Sequence, residues 1–225
     1  MNARRSAVFV IAVACAMAAS VLGAQQGIAP AMPLACRTNV VDSLDANFVP
    51  AGFGTLREDD VSIKISLIGG LLVTATPLDE RVIRLLAPDL YKSRCQIRAS
   101  KQKTIDSIAN RERLTKPSLW YVTFYAVEQG EVRFSPQEFI IGNVGRDFRP
   151  MGLIPLSSGF GDYRLKQFEV QTAIYVFDGQ LNVNQPLTAQ IQSARSNTDW
   201  QQVLRRIEQE RALVRSRAAS KSPAP

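Results

Sequence analysis

Among the 225 residues there is no histidine, and this decides much of the chemistry open to the chain. Ser-His-Asp and Cys-His nucleophiles, histidine general bases and histidine-ligated metals are all removed at once. The carboxylates that could act in pairs are Asp79 with Glu80, and Glu128 with Glu131 on either side of Gly130. A glycosidase needs two such groups facing each other across a cleft. Here the first pair sits where carboxylates stabilise a helix start, and the second brackets a turn. No G-x-S-x-G elbow, G-x-x-x-x-G-K phosphate loop or G-x-G-x-x-G dinucleotide fingerprint occurs. The sequence therefore predicts a non-enzymatic protein with no cofactor and no metal. A carboxylate-dependent, glycosidase-like secreted hydrolase is the alternative.

Three cysteines remain to be placed, and the N-terminus gives them context. Residues 1–24 read as a signal peptide: Arg4 and Arg5 precede an uncharged Ala- and Val-rich run that ends at the small residues Gly23 and Ala24. The expected location is outside the cytoplasm, periplasmic or secreted. Retention of the run as an N-terminal membrane anchor, or lipid modification at Cys15, are the alternatives. Cleavage leaves Cys36 and Cys95, which in an oxidising compartment are expected to form a disulfide. Closing that loop stabilises by about 4 kcal/mol in the chain-entropy model.

The elements that must position these residues are mostly strands. Residues 119–127, LWYVTFYAV, are apolar except for one Thr and carry four aromatics. That length and composition predict a central strand with Trp120, Val122, Phe124 and Ala126 on one face and Tyr121, Thr123 and Tyr125 on the other. Val61, Ile63, Ile65 and Leu67 alternate with polar residues, and Gly69-Gly70 returns the chain into a hairpin partner. Short strands follow at 132–134 and 138–141, an edge segment carrying Pro150 and Pro155 at 148–156, a strand at 170–177 and a last one at 186–191. The aromatic strand, the 170–177 strand and the short strands between them resemble the immunoglobulin-like β-sandwich modules of many exported bacterial proteins. The resemblance implies a fold and carries over no functional residue. Cys36 and Cys95 both precede Trp120, so they depart from the core disulfide of antibody domains.

The expected organisation is a mainly β, immunoglobulin-like sandwich over 61–192, after an extended lead-in at 25–60. A helical and basic insertion occupies 77–116, with its helical part at 77–98. An amphipathic helix at 197–217 and a disordered tail at 218–225 end the chain. Thr76 is the expected cap of the insertion helix with Pro77 at its first position, and Asn197 or Thr198 that of the tail helix.

Two surfaces are candidates for binding. Residues 92–116 hold eight Lys or Arg against Asp106 and Glu112, close to the whole formal charge of +7. Arg94, Arg98, Lys101, Lys103, Arg111 and Arg113 are expected either to dock an anionic envelope surface or envelope protein, or to line a solvated loop or frayed helix. Nucleic acid is not expected, since the basic stretch lacks interleaved aromatics. On the tail helix, Trp200, Leu204, Ile207 and Arg211 are expected either to pack on the sandwich or to meet a partner, a membrane surface or another copy in an envelope assembly.

Overall fold

The computed structural model describes Cys36 and residues 47–160 and 164–221. The signal-peptide reading, most of the 25–60 lead-in and the last four residues of the tail fall outside the described residues. In chain order the elements are β1 (Ile63–Leu67), β2 (Leu71–Pro77), α1 (Glu80–Ile83), α2 (Pro88–Ser100), α3 (Gln102–Arg111), β3 (Ser118–Ala126), β4 (Glu131–Arg133) and β5 (Phe139–Asn143). They continue through β6 (Arg146–Phe148), β7 (Gly152–Pro155), β8 (Arg164–Lys166), β9 (Val170–Phe177), β10 (Leu187–Ile191) and β11 (Ala194–Arg195) to α4 (Trp200–Lys221). The protein is mainly β, with antiparallel sheets and a C-terminal helix. A five-stranded sheet runs in the order β1-β2-β3-β9-β7 and a four-stranded one in the order β11-β10-β5-β6, while β4 and β8 form a separate pair.

The aromatic strand is central, as its composition predicts. β3 lies third of five, and Trp120, Val122, Phe124 and Ala126 are wholly buried on one face. That face meets the four-stranded sheet and α4. Phe139 of β5 packs edge-on against Tyr175 at 5.5 Å and Phe177 at 6.3 Å, both on β9. Trp120 meets Trp200 of α4 at 6.1 Å. Phe124 lies within 4.5 Å of Phe134 and 6.1 Å of Phe160. Polar tips inside this core are satisfied: the Tyr175 hydroxyl donates to the Pro136 carbonyl at 2.8 Å, and the Trp200 indole to that of Val183 at 3.1 Å.

Three glycines are required by geometry. The β1–β2 turn places Gly69 and Gly70 at φ 91° and 76°, a left-handed backbone only glycine adopts freely. A Cβ on Gly54 would lie 2.2 Å from the Leu85 carbonyl oxygen, so only glycine lets this part of the lead-in reach the α1–α2 junction. There the Leu56 amide donates to Leu85 and the Ala87 amide to Leu56.

Both predicted helix caps are displaced. Thr76 and Pro77 continue β2, paired with Tyr121 and Trp120. The Thr76 hydroxyl is held inside the sheet by Ser62 at 2.8 Å and by Glu58 at 3.1 Å, and the Leu78 amide carries the ladder on to Leu119. The cap is Asp79, whose carboxylate accepts from the Arg81 amide at 2.9 Å. Pro88 starts α2 at its first position, where a missing N–H does no harm. Before α4 the Thr198 hydroxyl accepts from the Lys64 amide, leaving Asp199 to bond the Gln201 amide. In both places a tertiary hydrogen bond engages the hydroxyl and the next carboxylate along serves the helix.

Candidate functional site

The residues between β2 and β3 form a helical layer, not a loop. Within α3, Ile105, Ile108 and Ala109 are buried at the i, i+3, i+4 spacing of an apolar stripe, which seats the helix and turns Gln102, Asp106 and Asn110 outward. The helix ends in a tight C-terminal turn: the Leu114 amide donates to the Ala109 carbonyl at 2.8 Å, and Arg113 takes φ 56°. The chain then doubles back through Lys116 into β3. Between α1, α3 and this return lies a cleft of about 920 Å³. Its floor is apolar, from Leu78, Ile105 and Leu119, and its rim carries Asp79, Arg98 and Lys116.

Three carboxylates at this end are clamped by arginine, while Asp106 accepts from the Gln102 amide at 2.8 Å. Asp79 accepts from Arg81 at both oxygens. Burial pushes the Asp79 carboxyl up, but Arg81 and, at longer range, Lys116 outweigh it and hold the group below its ordinary 3.8. Glu80 pairs with Arg84 at 3.0 Å and Arg98 at 3.5 Å, and Arg84 in turn lies 4.0 Å over the Phe48 ring. Glu58 receives Arg94, whose guanidinium also sits 4.0 Å over the Tyr121 ring. Tyr91 is buried and its hydroxyl has no hydrogen-bond partner among the described residues; burial and then the Glu80 carboxylate push its pKa up.

The expected site residues divide accordingly. Cys36 and Cys95 stand at disulfide distance, with Cα atoms 5.7 Å apart, tying the lead-in to α2. Arg94 and Arg98 are engaged as just described, and Arg111 pairs with Glu112 at 2.7 Å. Lys101, Lys103 and Arg113 make no ion pair among the described residues, and Lys103 and Arg113 are exposed. Trp200 and Ile207 are buried against the body of the protein and Leu204 is half-buried, so the tail stripe faces inward. Arg211, expected among partner contacts, is also buried, bonded through Nη1 to Asn47 at 3.3 Å and to Glu208. Beside it Glu210 accepts from the Thr55 amide and hydroxyl at 2.8 and 3.0 Å and from Arg217 at 2.7 Å. The physical reason is that a helix of this kind needs a covered stripe, and its own domain supplies the cover. Lys116, Gln102 and Asn110 were not singled out by the sequence. The signal for Gln102 and Asn110 was the apolar spacing of Ile105, Ile108 and Ala109, which fixes what α3 turns outward; Lys116 lies beyond the helix and had no such signal.

The candidate carboxylates do not form a free pair. Glu131 forms an ion pair with Arg164 across the β4–β8 ladder at 3.6 Å, and Glu128 stands exposed on the other side of a turn where Gly130 takes φ 110°. Among the described residues no three His, Cys, Asp or Glu side chains gather to hold a metal, and no helix is long and apolar enough to cross a membrane. No family model matches the chain, and no curated protein or solved structure matches it significantly.

Proposed function

We propose that this is an exported, non-enzymatic binding or scaffolding protein of the cell envelope, whose cationic helical layer docks an anionic envelope surface. One observation carries the reading. Of the eight cations in 92–116, Arg94, Arg98 and Arg111 are engaged by carboxylates, whereas Lys92, Lys101, Lys103, Arg113 and Lys116 form no ion pair among the described residues. Five unpaired cations in one helical layer, Lys116 among them at the cleft, outnumber the Asp106 carboxylate there and make a predominantly positive surface that attracts anions over about a Debye length. Clamping of Asp79 and Glu80 by arginine supports binding over hydrolysis, because a general acid or base must be free to exchange a proton. An immunoglobulin-like sandwich is our reading of the scaffold, supported by antiparallel sheets that meet across an aromatic core. The three consecutive neighbours β1-β2-β3 in one sheet depart from the antibody arrangement.

Co-sedimentation with lipid vesicles tests the reading. The chain is expected to follow vesicles mixing phosphatidylglycerol with phosphatidylcholine, to ignore phosphatidylcholine alone, and to detach as salt rises. Replacing Lys101, Lys103, Arg113 and Lys116 together by Gln should abolish the binding. Binding unchanged in that variant overturns the docking role, as does a glycan-cleaving turnover that Glu80→Gln eliminates.

A further inference from the structure

The cleft between α1, α3 and the return into β3 has walls that are held before any ligand arrives. Ile105 and Ile108 seat α3, and the Asp79 cap fixes the start of α1. The return is held at one end by the Leu114 amide on Ala109 and at the other by Ser118, paired with Phe177 of β9. A pocket formed in advance loses little to ordering when it fills. Gln102, Asp106 and Asn110 recur every four residues along α3 and all line the cleft. They stand in a row about 12 Å long, longer than a single sugar ring.

Charge on the lining is balanced. Asp79, Glu80 and Asp106 stand against Arg81, Arg98 and Lys116. Asp79 engages Arg81 and Glu80 engages Arg98, which leaves Lys116 as the lining cation with no ion pair among the described residues. A densely charged anion, such as a packed lipid headgroup surface, would meet three carboxylates here at close range. The remaining polar groups are neutral and have capacity to spare. The Asn110 side chain and the Thr115 hydroxyl have no hydrogen-bond partner among the described residues, and both residues are exposed. The Ser118 hydroxyl accepts from the Trp120 indole at 3.2 Å and keeps its own proton to donate. Such groups match hydroxyls, which donate and accept at one atom. The floor suits an acyl chain poorly, because Leu78, Ile105 and Leu119 are already buried and have little surface left to cover.

We propose that the cleft binds a sparsely charged acidic saccharide, with a carboxylate on Lys116 and ring hydroxyls on Asn110, Thr115 and Ser118. This names the chemistry of the anionic surface met by the helical layer and rests on that reading. The unpaired cations outside the cleft act at long range and gather a polyanion. The balanced cleft then selects one whose charges are spread along neutral rings, because the lining carboxylates oppose any denser anion. Asp106 takes part as an acceptor for hydroxyl protons, since Gln102 occupies one of its oxygens and leaves the other. Phe48 lines the same cleft and offers a ring against which the C–H face of a sugar can lie.

Isothermal titration calorimetry of the full chain with trigalacturonate, and with maltotriose as its uncharged counterpart, tests the assignment. Trigalacturonate is expected to bind with Kd of about 1 mM or below, and maltotriose on the order of 10-fold more weakly. Lys116→Gln should weaken trigalacturonate about 10-fold and leave maltotriose unchanged, whereas Arg205→Gln, an equal loss of charge on an exposed residue of α4, should change neither. Asn110→Trp fills the cleft without altering charge and should abolish both at unchanged melting temperature. Thr115→Trp serves as a second blocking variant should Asn110→Trp perturb folding. Saccharide bound through Lys116 while phosphatidylglycerol vesicles are ignored supports the proposal and restricts the anionic surface to glycan. Vesicle binding without trigalacturonate binding overturns the cleft assignment and leaves the docking role standing. Equal weakening by Lys116→Gln and Arg205→Gln, or binding indifferent to both blocking variants, overturns it too. Triglutamate bound as tightly as trigalacturonate would show that the cleft reads charge alone and overturn it equally.

Discussion

Tyr121 and Tyr125 stand four residues apart on the same face of β3, and their surroundings differ completely. The first lies under the Arg94 guanidinium, which Glu58 anchors in turn. The second lies in an uncharged row with no described element above it. Alternation along the strand assigns both to the outer face and says nothing more. What separates them is where the excursion between β2 and β3 comes to rest. Cys95 and the lead-in hold α2 over one end, α3 lies down beside it through Ile105 and Ile108, and no comparable segment among the described residues returns over the other. One half of the face thereby acquires an intramolecular cation, and the other keeps no described element above it.

The comparison sharpens first against the inner face, which both halves share. Phe124 is wholly buried and touches three other rings. Phe124→Ala should cost about 3 to 5 kcal/mol in urea unfolding. A loss under about 1 kcal/mol would mean that the inner face is not a packed core. Next comes the contrast itself. Arg94→Ala strands the Glu58 carboxylate and uncovers Tyr121, at a cost of about 2 kcal/mol, whereas Tyr125→Thr should stay within about 1 kcal/mol. Equal losses at the two positions would erase the distinction between the roofed and open halves.

The smallest effect belongs to the foot of the roof. Asp79→Asn removes the charge that caps α1 and clamps Arg81, a loss of about 1 kcal/mol near neutral pH. Because Asp79 is held below 3.8 in the folded protein, its contribution is complete above that value and disappears as pH falls through the folded pKa. The melting temperatures of parent and variant should therefore stay apart at about pH 4 and converge only as pH falls through the folded value, below 3.8. A gap that persists in acid would show that the side chain's shape, not its charge, supports the turn.

Much of the scaffold was legible in the sequence because it depends on nearest neighbours along the chain. The aromatic run could only be a central strand, packed on one face and at least partly screened on the other, Gly69-Gly70 could only reverse direction, the alternation from Val170 to Phe177 marked a second core strand, and Cys36 and Cys95 could pair. The absence of histidine restricted the chemistry before any fold was known. Three-dimensional structure alone decided how the polar groups were distributed. Thr76 and Thr198 look like helix caps until a cross-strand hydroxyl and the Lys64 amide claim them. The tail arginines look free for a partner until Asn47 and Glu208 enclose Arg211, and Phe53 and Glu210 take Arg217. A side chain's pattern along the chain fixes which way it points, but its hydrogen-bond and ion-pair partners lie up to 164 residues away, where local spacing carries no information. The cleft, the clamped carboxylates and the open half-sheet all arise from such distant pairings.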